Sequence, residues 1–489
     1  MNEFLLKIDL KPLLEVFSAN NFILVFQLLY IFTALGVVIV VISENRNPLK
    51  TISWVLVLLL LPLVGLIFYY FFGEDHRKQR LISRKMHKKL NRKTLERIEL
   101  KETLNTPVEY KGLINLLNKL NDCPLYGGSN ITFYSDGATK FDSLFTEIKK
   151  ATKHIHIQYY IFMDDEIGHK LKNLLIEKVQ EGVEVRVLYD AMGAWKAKKT
   201  FYKEMAAAGI QVTPFLKVAF PILTSRVNYR NHRKVVIIDG EIGFMGGMNV
   251  ADRYIKGNGT GIWRDSHFKL EGKAVHGLQI SFVIDWYASQ NEFLVSNKYF
   301  PLLETKGDNL MQIATSGPTG EFKEIHQGMF QAITNAKEYV YIQTPYLIPT
   351  DALMLALQTA AMSGVDVRIM IPEKSDTTFV QIASMSFIKD FLESKVKIYF
   401  FTEGFLHSKL MVIDDSLTIT GSANMDVRSF EHNFEIDAFI YNRDTTLTAK
   451  DIFLKDMQSS VPIDLETWNK RPRYKRFAES FLRLFTPLL

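Results

Sequence analysis

The chain contains the same short string twice, and this duplication constrains its fold more than any other feature of the sequence. The first copy is NHRKVVIIDGEIGFMGGMN and the second is LHSKLMVIDDSLTITGSAN. Both read H-x-K-x4-D, with a Gly fourteen residues after the His and an Asn seventeen residues after it. Two similar halves can hold one phosphodiester between two histidines, so the duplication predicts phosphodiester chemistry at a shared site.

The sequence upstream of each string also corresponds between the two halves. Each half contains a strand-like alternation with a shared Ile-Gln, a helical apolar pattern, a Gly-Val pair and a second strand. This order predicts a βαβ unit in each half. Gly182 and Gly364 follow the predicted helices, where a Gly commonly ends a helix. The sequence therefore predicts an α/β fold with a first domain over 130–295 and a second over 308–460.

The N-terminal region contains two long apolar stretches, about 22–43 and 52–72, that are nearly free of charge. Each is close to the ~20 residues that a helix needs to cross the hydrocarbon layer. A cleaved signal peptide would show one shorter apolar run and a small-residue cleavage site. The pattern instead predicts a transmembrane helical hairpin within a membrane anchor over 1–75.

A basic run, HRKQRLISRKMHKKLNRK, follows the second apolar stretch and opens a predicted linker and helix over 76–129. The loop between the apolar stretches carries few basic residues, so the positive-inside rule predicts that everything after residue 75 is cytoplasmic. The same run can attract anionic head groups. Cys123 is the only cysteine, which excludes an intramolecular disulfide and agrees with a reducing compartment.

Two further apolar segments each allow two interpretations. The segment LKVAFPILTSRVNYRN places Phe220 and its neighbours close to His232, either as a lipid-facing lip or as ordinary core packing. The C-terminal segment 461–489 includes RPRYKRFAESFLRLFTPLL, a basic amphipathic pattern. Such a helix can lie in the membrane interface or dock on the preceding domain. The sequence leaves both alternatives open for both segments.

Within each string, the spacing predicts which side chains share a cleft. Residues i and i+2 of a strand project from the same face, so His232 with Lys234, and His407 with Lys409, can reach one site. Asp239 and Asp414 lie at an odd step from the histidines, and each opens a turn signal. These two aspartates are therefore predicted to be structural, although they complete the motif.

Breaking a phosphodiester without a metal requires a nucleophile, a proton donor and fixed positive charge. The two histidines and two lysines can supply these, and Asn249 and Asn424 can donate amide hydrogen bonds to the phosphoryl oxygens. A nucleophilic histidine is usually oriented by a carboxylate. The candidates are Asp265 and Glu435, both beside strand-like runs. No short-spaced cluster of carboxylate and His ligands suggests a metal site, and GEIGFMGG lacks the Lys-Ser/Thr of a P-loop.

With its two H-x-K-x4-D strings, the chain resembles the phospholipase D superfamily, and within it the bacterial cardiolipin synthases. The resemblance covers nearly the whole chain and includes the N-terminal hairpin, GGMNVADRY, WRDSHF, TGSANMDVRSFEHNFE and the RLFTPLL ending. Ser422, where the first copy has Gly247, resembles the usual asymmetry of that family.

The resemblance implies two phospholipase D-like α/β domains about a pseudo-twofold axis and a membrane-bound phosphatidyl transferase that uses no cofactor. It implies that His232 attacks a phosphatidylglycerol to form a phosphatidyl-histidine, while His407 protonates the departing glycerol. A second phosphatidylglycerol then accepts the phosphatidyl group to give cardiolipin. In the same comparison Glu435 orients His232 and Asp265 orients His407.

Three other functions compete with this prediction. Water as the acceptor would make the chain a lipid hydrolase that releases phosphatidic acid. A nuclease would use the basic stretch to bind a phosphate backbone, although the membrane hairpin argues against a nucleic acid partner. A membrane scaffold with relict strings is disfavoured because both copies are complete.

Overall fold

The computed structural model describes residues 19–43, 48–61, 64–69, 106–215, 229–259, 261–320 and 322–486, together with positions 89 and 92. Its contacts separate a small N-terminal unit from a large unit that carries both motif strings. Most of the basic run after residue 76 and the whole stretch 216–228, which includes the Phe220 segment, lie outside the described residues.

The described residues of the N-terminal unit include the helices α1 (Ala19–Ser43), α2 (Pro48–Leu60) and α3 (Val64–Phe68). The 21 residues Ile23–Ser43 form a helix long and apolar enough to cross a membrane. The predicted second span over 52–72 differs, because the described part divides into α2 and α3. In the sequence, Pro62 lies between the end of α2 and the start of α3. A proline disfavours helical backbone at the residue before it.

The helices of this unit contact each other through a few side chains. Val41, Leu58 and Tyr69 are buried together, and the Tyr30 hydroxyl donates to the Leu58 carbonyl. Many other apolar side chains of the unit point outward, including Phe32 at 71% exposure. An exposed apolar surface of this kind is typical of a segment that contacts lipid or a partner.

The described strands of the large unit form one long mixed sheet and a separate two-stranded sheet. The first half contributes β1 to β9, namely Tyr126–Tyr134, His154–Tyr159, Glu184–Asp190, Gln211–Phe215, Arg230–Asn231, Val235–Ile238, Ile242–Gly246, Ile262–Arg264 and His267–Glu271. The second half contributes β10 to β18, namely Asn309–Ser316, Tyr339–Gln343, Asp366–Pro372, Lys397–Phe401, Gly404–Leu406, Leu410–Ile413, Leu417–Gly421, Asn433–Tyr441 and Ser460–Ile463.

The strand order of this sheet repeats on either side of its centre. From the centre outward the first half runs β1, β9, β7, β6, β2, β3, β4, and the second runs β10, β17, β16, β15, β11, β12, β13 followed by β18. The antiparallel pair β1 and β10 joins the two series. Short strands lie off this path, with β5 beside β17 and β14 beside β8. Each of these short pairs takes one strand from either half.

The helices cover the sheet. A 3-10 turn spans Val108–Tyr110. Helices α4 to α9 are Lys111–Asn121, Gly137–Lys150, Glu166–Gln180, Lys199–Ala207, Arg253–Lys256 and Val275–Gln290. Helices α10 to α16 are Glu324–Asn335, Asp351–Met362, Thr378–Glu393, Val427–Glu431, Arg443–Gln458, Leu465–Asn469 and Arg473–Arg483.

The predicted βαβ units are confirmed in both halves, because β2 pairs in parallel with β3 across α6, and β11 with β12 across α11. Gly182 and Gly364 follow the two helices with φ of 89° and 100°. This left-handed backbone suits glycine and explains why both helices end there.

The C-terminal helix α16 docks on α12 and still exposes an aromatic face. Arg483 Nη1 donates to Asp390 Oδ2 at 2.7 Å, and Leu482 packs against the core of the second half. On the outer side, four exposed side chains follow at helical spacing: Tyr474, Phe477, Phe481 and Leu484. The docked alternative therefore holds for one face of the helix and leaves the other face open.

Candidate active site

Both motif histidines line one cavity of about 350 Å³. Each is held by backbone from the other half of the chain, since His232 N donates to the Phe434 carbonyl at 2.9 Å and His407 N donates to the Arg264 carbonyl at 2.6 Å. These contacts continue the short strand pairs β5 with β17 and β14 with β8. The two halves thus place their imidazoles in a shared space.

Glu435 contacts His232 from the second half of the chain. His232 Nδ1 lies 3.0 Å from the Glu435 carboxylate, which is fully buried. The carboxylate also accepts from Asn433 Nδ2 at 3.0 Å and from the Ser422 hydroxyl. These bonds hold the carboxylate in one orientation against the ring and leave Nε2 of His232 for the cavity.

Asp265 contacts His407 in the same manner from the first half. His407 Nδ1 lies 2.6 Å from Asp265 Oδ2, and Asp265 Oδ1 accepts from Ser266 N at 2.8 Å. A Cβ at Gly247 would lie only 2.1 Å from Asp265 Oδ1. A side chain at position 247 would therefore displace Asp265, whereas the hydroxyl of Ser422 at the corresponding position donates to Glu435.

Lys234 and Lys409 lie almost fully buried beneath the histidines. Each ammonium donates to the carbonyl of its own histidine, and Lys409 Nζ is 3.0 Å from His407 Nδ1. Burial lowers the pKa of Lys234 well below its usual value, against the charges of Glu435 and Asp265. Burial likewise lowers the pKa of Lys409 to about 8.

The buried histidines, lysines and carboxylates of the site change one another's pKa values. Burial, with the positive charge of Lys409, lowers the pKa of His407 to about 4 although Asp265 opposes the change. Burial also lowers the pKa of His232, assisted by Lys234. Burial alone would raise the pKa of Glu435, but His232 and Lys234 outweigh it and the pKa is lowered. The imidazoles therefore favour their neutral forms, and the carboxylate remains charged.

Asn249 and Asn424 both line the cavity. Asn249 Oδ1 accepts from Ile161 N at 3.0 Å, while its amide donates to the Tyr254 hydroxyl. Asn424 Nδ2 donates to Asp426 Oδ2 at 3.1 Å. Both amides are thus placed at the wall of the site.

Asp239 and Asp414 point away from the cavity. Asp239 accepts from the backbone N–H groups of 152, 153 and 154 at 2.8 Å each, at the start of β2. Asp414 accepts from those of 337, 338 and 339 at 2.7–2.9 Å, at the start of β11. Both residues have positive φ in the predicted hairpin turns. Their contacts fix a strand to its neighbour and reach no group of the site.

Three arginines that the sequence motifs did not indicate also line the cavity. Arg253 and Arg428 each stand four residues after a motif Asn, so the duplication itself contained a signal for them. Arg230 stands two residues before His232 and is buried. No group of three His, Cys, Asp or Glu side chains is arranged to hold a metal ion in the part of the chain that the structure describes.

Comparison with known proteins identifies relatives of the whole chain. A family described as "Cardiolipin synthase, PLD-like domain" matches residues 144–267 and 329–457, and "Phospholipase_D-nuclease N-terminal" matches 28–74. A cardiolipin synthase of Geobacillus sp. (strain WCH70) is 41% identical over 458 residues, covering 92% of this chain and 91% of the relative. The major cardiolipin synthase of Bacillus subtilis (strain 168) is 40% identical, with 95% and 98% covered.

A solved structure shares the fold at lower identity. The phosphatidylserine synthase of Haemophilus influenzae Rd KW20 aligns with a TM-score of 0.59 and 14% identity, over 76% of this chain and 97% of that one. At this identity the likeness concerns the arrangement of the chain alone.

Proposed function

The chain belongs to the cardiolipin synthase family of phospholipase D-like proteins, and on that premise we propose that it transfers a phosphatidyl group from one phosphatidylglycerol to another. The products are cardiolipin and glycerol. One phosphodiester is exchanged for another, so the reaction requires no nucleotide. The observation that carries the proposal is the pair of buried imidazoles in one cavity, each backed by a carboxylate from the opposite half.

His232 is the nucleophile in this proposal. Its Nε2 forms a bond to phosphorus as the bond from phosphorus to the glycerol oxygen breaks. The negative charge of the bound phosphodiester favours the protonated form of His407, and this imidazolium donates its Nε2 proton to the glycerol oxygen. Glu435 holds the Nδ1 proton of His232, which fixes the tautomer and stabilises the positive charge on the ring. The result is a phosphatidyl-histidine and free glycerol.

The second step reverses the first with a new alcohol. His407 takes the proton of a glycerol hydroxyl on the second phosphatidylglycerol, whose oxygen bonds to phosphorus as the bond to His232 breaks. Asp265 stabilises the protonated His407 in each passage. Asn249 and Asn424, at the wall of the cavity, offer amide donors to the phosphoryl oxygens, while Lys409 and Lys234 lie behind the histidines and contribute to the electrostatic field of the site. Asp239 and Asp414 act on folding through the strand starts that they hold.

The apolar helix Ile23–Ser43 and the family membership indicate a membrane-associated protein. We propose a multi-pass anchor, formed by α1 with the second apolar stretch, in the bacterial cytoplasmic membrane with the large unit on the cytoplasmic side. The basic residues after position 75 support this orientation. The exposed aromatic face of α16, with Arg473, Lys475 and Arg476 nearby, fits an anionic lipid interface.

The product assay tests the proposed reaction. Purified full-length protein is incubated with phosphatidylglycerol vesicles, and lipids and glycerol are quantified together. Cardiolipin and glycerol in equal amounts support the transfer. Phosphatidic acid without cardiolipin would show that water is the acceptor, and salt-sensitive cleavage of DNA would point to a nuclease.

The membrane role of α16 is tested with vesicles of phosphatidylglycerol and phosphatidylcholine. Phe477→Ser with Phe481→Ser removes two exposed rings and is expected to lower activity on vesicles severalfold, with activity in detergent micelles retained. Val108→Ser, an exposed apolar position on another surface, is the control. Equal activity on vesicles for both variants would contradict lipid contact by this helix.

A further inference from the structure

Arg253 lies on the His407 side of the cavity, against two aromatic rings. Its guanidinium carbon is 5.1 Å from the centre of the Trp263 ring and 5.6 Å from that of Tyr254. The same two rings pack against His407, with centroids 5.4 Å and 6.2 Å from the imidazole. The rings therefore fix both the guanidinium and the imidazole at one wall of the site.

The buried Nε of Arg253 has no hydrogen-bond partner among the described residues, although the guanidinium interacts with the Tyr254 hydroxyl. A half-buried guanidinium whose Nε–H is unused in the free protein is suited to an anion that arrives with a ligand. The position is therefore one where a ligand can complete the hydrogen bonding.

Its counterpart in the duplication, Arg428, has different surroundings. Arg428 lines the cavity near Arg230 and Tyr160, and the ring of Tyr160 packs 5.0 Å from that of His232. The charge of Arg428 also acts on Arg230. Arg428 thus belongs to the His232 side, where the phosphorus is held, and Arg253 belongs to the side where the alcohol enters and leaves.

The acceptor brings a second phosphate to the His407 side. In the proposed reaction His407 deprotonates a glycerol hydroxyl of an intact phosphatidylglycerol, whose own phosphodiester lies at the other end of the same glycerol. This second phosphate does not react, yet it must lie within one glycerol length of His407. Neither a departing free glycerol nor water carries such a charge.

We propose that Arg253 binds the non-reacting phosphodiester of the acceptor lipid and so selects phosphatidylglycerol over water and free glycerol as the acceptor. The guanidinium offers two parallel N–H donors to the phosphoryl oxygens, and stacking on Trp263 keeps the donors oriented. This inference rests on the proposed function, because it assumes that His407 serves the acceptor.

The test compares acceptors that differ by one phosphate. With phosphatidylglycerol in detergent micelles as donor, deuterated glycerol gives deuterated phosphatidylglycerol, whereas sn-glycerol 3-phosphate gives its phosphatidyl ester. Both acceptors are soluble, so lipid-surface binding is equal in the two arms. The wild-type protein is expected to prefer the phosphorylated acceptor, and Arg253→Gln to lower that preference about tenfold, as for one charge-assisted hydrogen bond.

Cardiolipin formation relative to glycerol exchange is expected to fall by a similar factor in Arg253→Gln. Arg253→Lys keeps the positive charge but lacks the two parallel N–H donors of the guanidinium, so it should retain part of the preference. Arg428→Gln is the matched control, and both of its rates should change together so that their ratio is retained.

The outcomes separate this inference from the function on which it rests. A wild-type protein that forms neither cardiolipin nor exchanged lipid would contradict the proposed function itself. An active wild type with an unchanged acceptor ratio in Arg253→Gln overturns the role of Arg253 alone. A ratio that falls in Arg428→Gln and stays constant in Arg253→Gln overturns it as well, because the acceptor would then lie on the His232 side.

Discussion

The His232 half and the His407 half of the site contain the same groups in the same order, but their walls differ. Two residues before each histidine stand Arg230 and Phe405, and two residues before each carboxylate stand Asn433 and Trp263. Strand pairing puts Arg230 beside Asn433, and Phe405 beside Trp263. One wall is therefore polar and cationic, whereas the other is aromatic with ring centroids 4.8 Å apart.

A nearly symmetric sequence can perform an asymmetric reaction when the walls around its duplicated groups differ in this way. In the proposed reaction both halves contact the same phosphorus, which explains why both carry an imidazole, an ammonium, an amide and a carboxylate. In that proposal only the His407 half contacts the alcohol that leaves and the alcohol that enters. The residues that line the two walls can therefore differ, although the duplicated imidazole, ammonium, amide and carboxylate groups must stay the same. Substitutions in one half should have different effects from the matched substitutions in the other.

The largest expected effect is the loss of turnover in His232→Ala and in His407→Ala, each by about 10³-fold or more. A phosphatidyl p-nitrophenyl ester distinguishes their roles, because its leaving group needs no proton. We expect His407→Ala to release p-nitrophenol from this donor and His232→Ala to remain inactive. His169→Ala, an exposed histidine that does not line the cavity, is the control. Release by His232→Ala instead would reverse the roles.

A smaller effect is expected when each carboxylate is neutralised. Glu435→Gln and Asp265→Asn retain the shape but lose the charge that stabilises each protonated ring, so the rate should fall by about 10² to 10⁴-fold. With the p-nitrophenyl donor, Asp265→Asn should recover more of its loss than Glu435→Gln. Equal recovery in both variants would mean that the two halves do not divide the chemistry as proposed.

Stability is expected to change more than catalysis in Asp239→Asn. Burial alone would raise the pKa of Asp239, but hydrogen bonds from the backbone at 152–154 outweigh it and the pKa is lowered. The lowered pKa means that Asp239 stabilises the fold above the unfolded pKa of about 3.9 and loses this contribution as the pH falls through the folded value. The cost at pH 7 should be about 1–3 kcal/mol.

Denaturant unfolding at pH 7 and at pH 3.5 measures this effect, and the difference from wild type should shrink at the lower pH. Asp142→Asn, an exposed position on α5, serves as the control. A fully stable but inactive Asp239→Asn protein would place this carboxylate in the chemistry after all.

The smallest expected effect concerns the buried residue that stands two positions after each carboxylate. This residue is Asp437 after Glu435 and His267 after Asp265. Burial, with the charge of Glu435, raises the pKa of Asp437 to about 7, whereas burial lowers the pKa of His267 well below its usual value. A raised folded pKa means that the contribution of Asp437 is lost as the pH rises through about 7. The lowered folded pKa of His267 means that His267 stabilises the fold above its unfolded pKa, and that this contribution is lost as the pH falls.

Asp437→Asn should therefore gain stability relative to wild type between pH 5 and pH 8, by about a few degrees in Tm. His267→Gln should lose stability relative to wild type over the same range, because its uncharged replacement gains nothing as the pH rises. Thermal unfolding of both variants at the two pH values is the measurement. Parallel changes in both variants would contradict the opposite pKa shifts of Asp437 and His267.

Much of the architecture could be predicted because it repeats. The βαβ units, the Gly stops at 182 and 364 and the hairpin turns after both strings follow from local periodicity and backbone preference, which need no distant partner. The second apolar stretch was harder to predict, since mean hydropathy over a stretch is not affected by a proline within it, whereas proline disfavours helical backbone at the residue before it. The arginines were missed for another reason, because an equal offset from Asn shows correspondence without showing which side chains face a cavity.

By itself, the sequence determined the duplicated half-site, the two turns and the outward position of the motif aspartates, because strand alternation and turn chemistry act over a few residues. Which groups meet across the cavity depends on the folding of the whole chain. Glu435 is 203 positions from His232, and Asp265 is 142 positions from His407. Contacts over such separations depend on how the two halves join through one sheet, and so do the aromatic and cationic walls that make the two halves unequal.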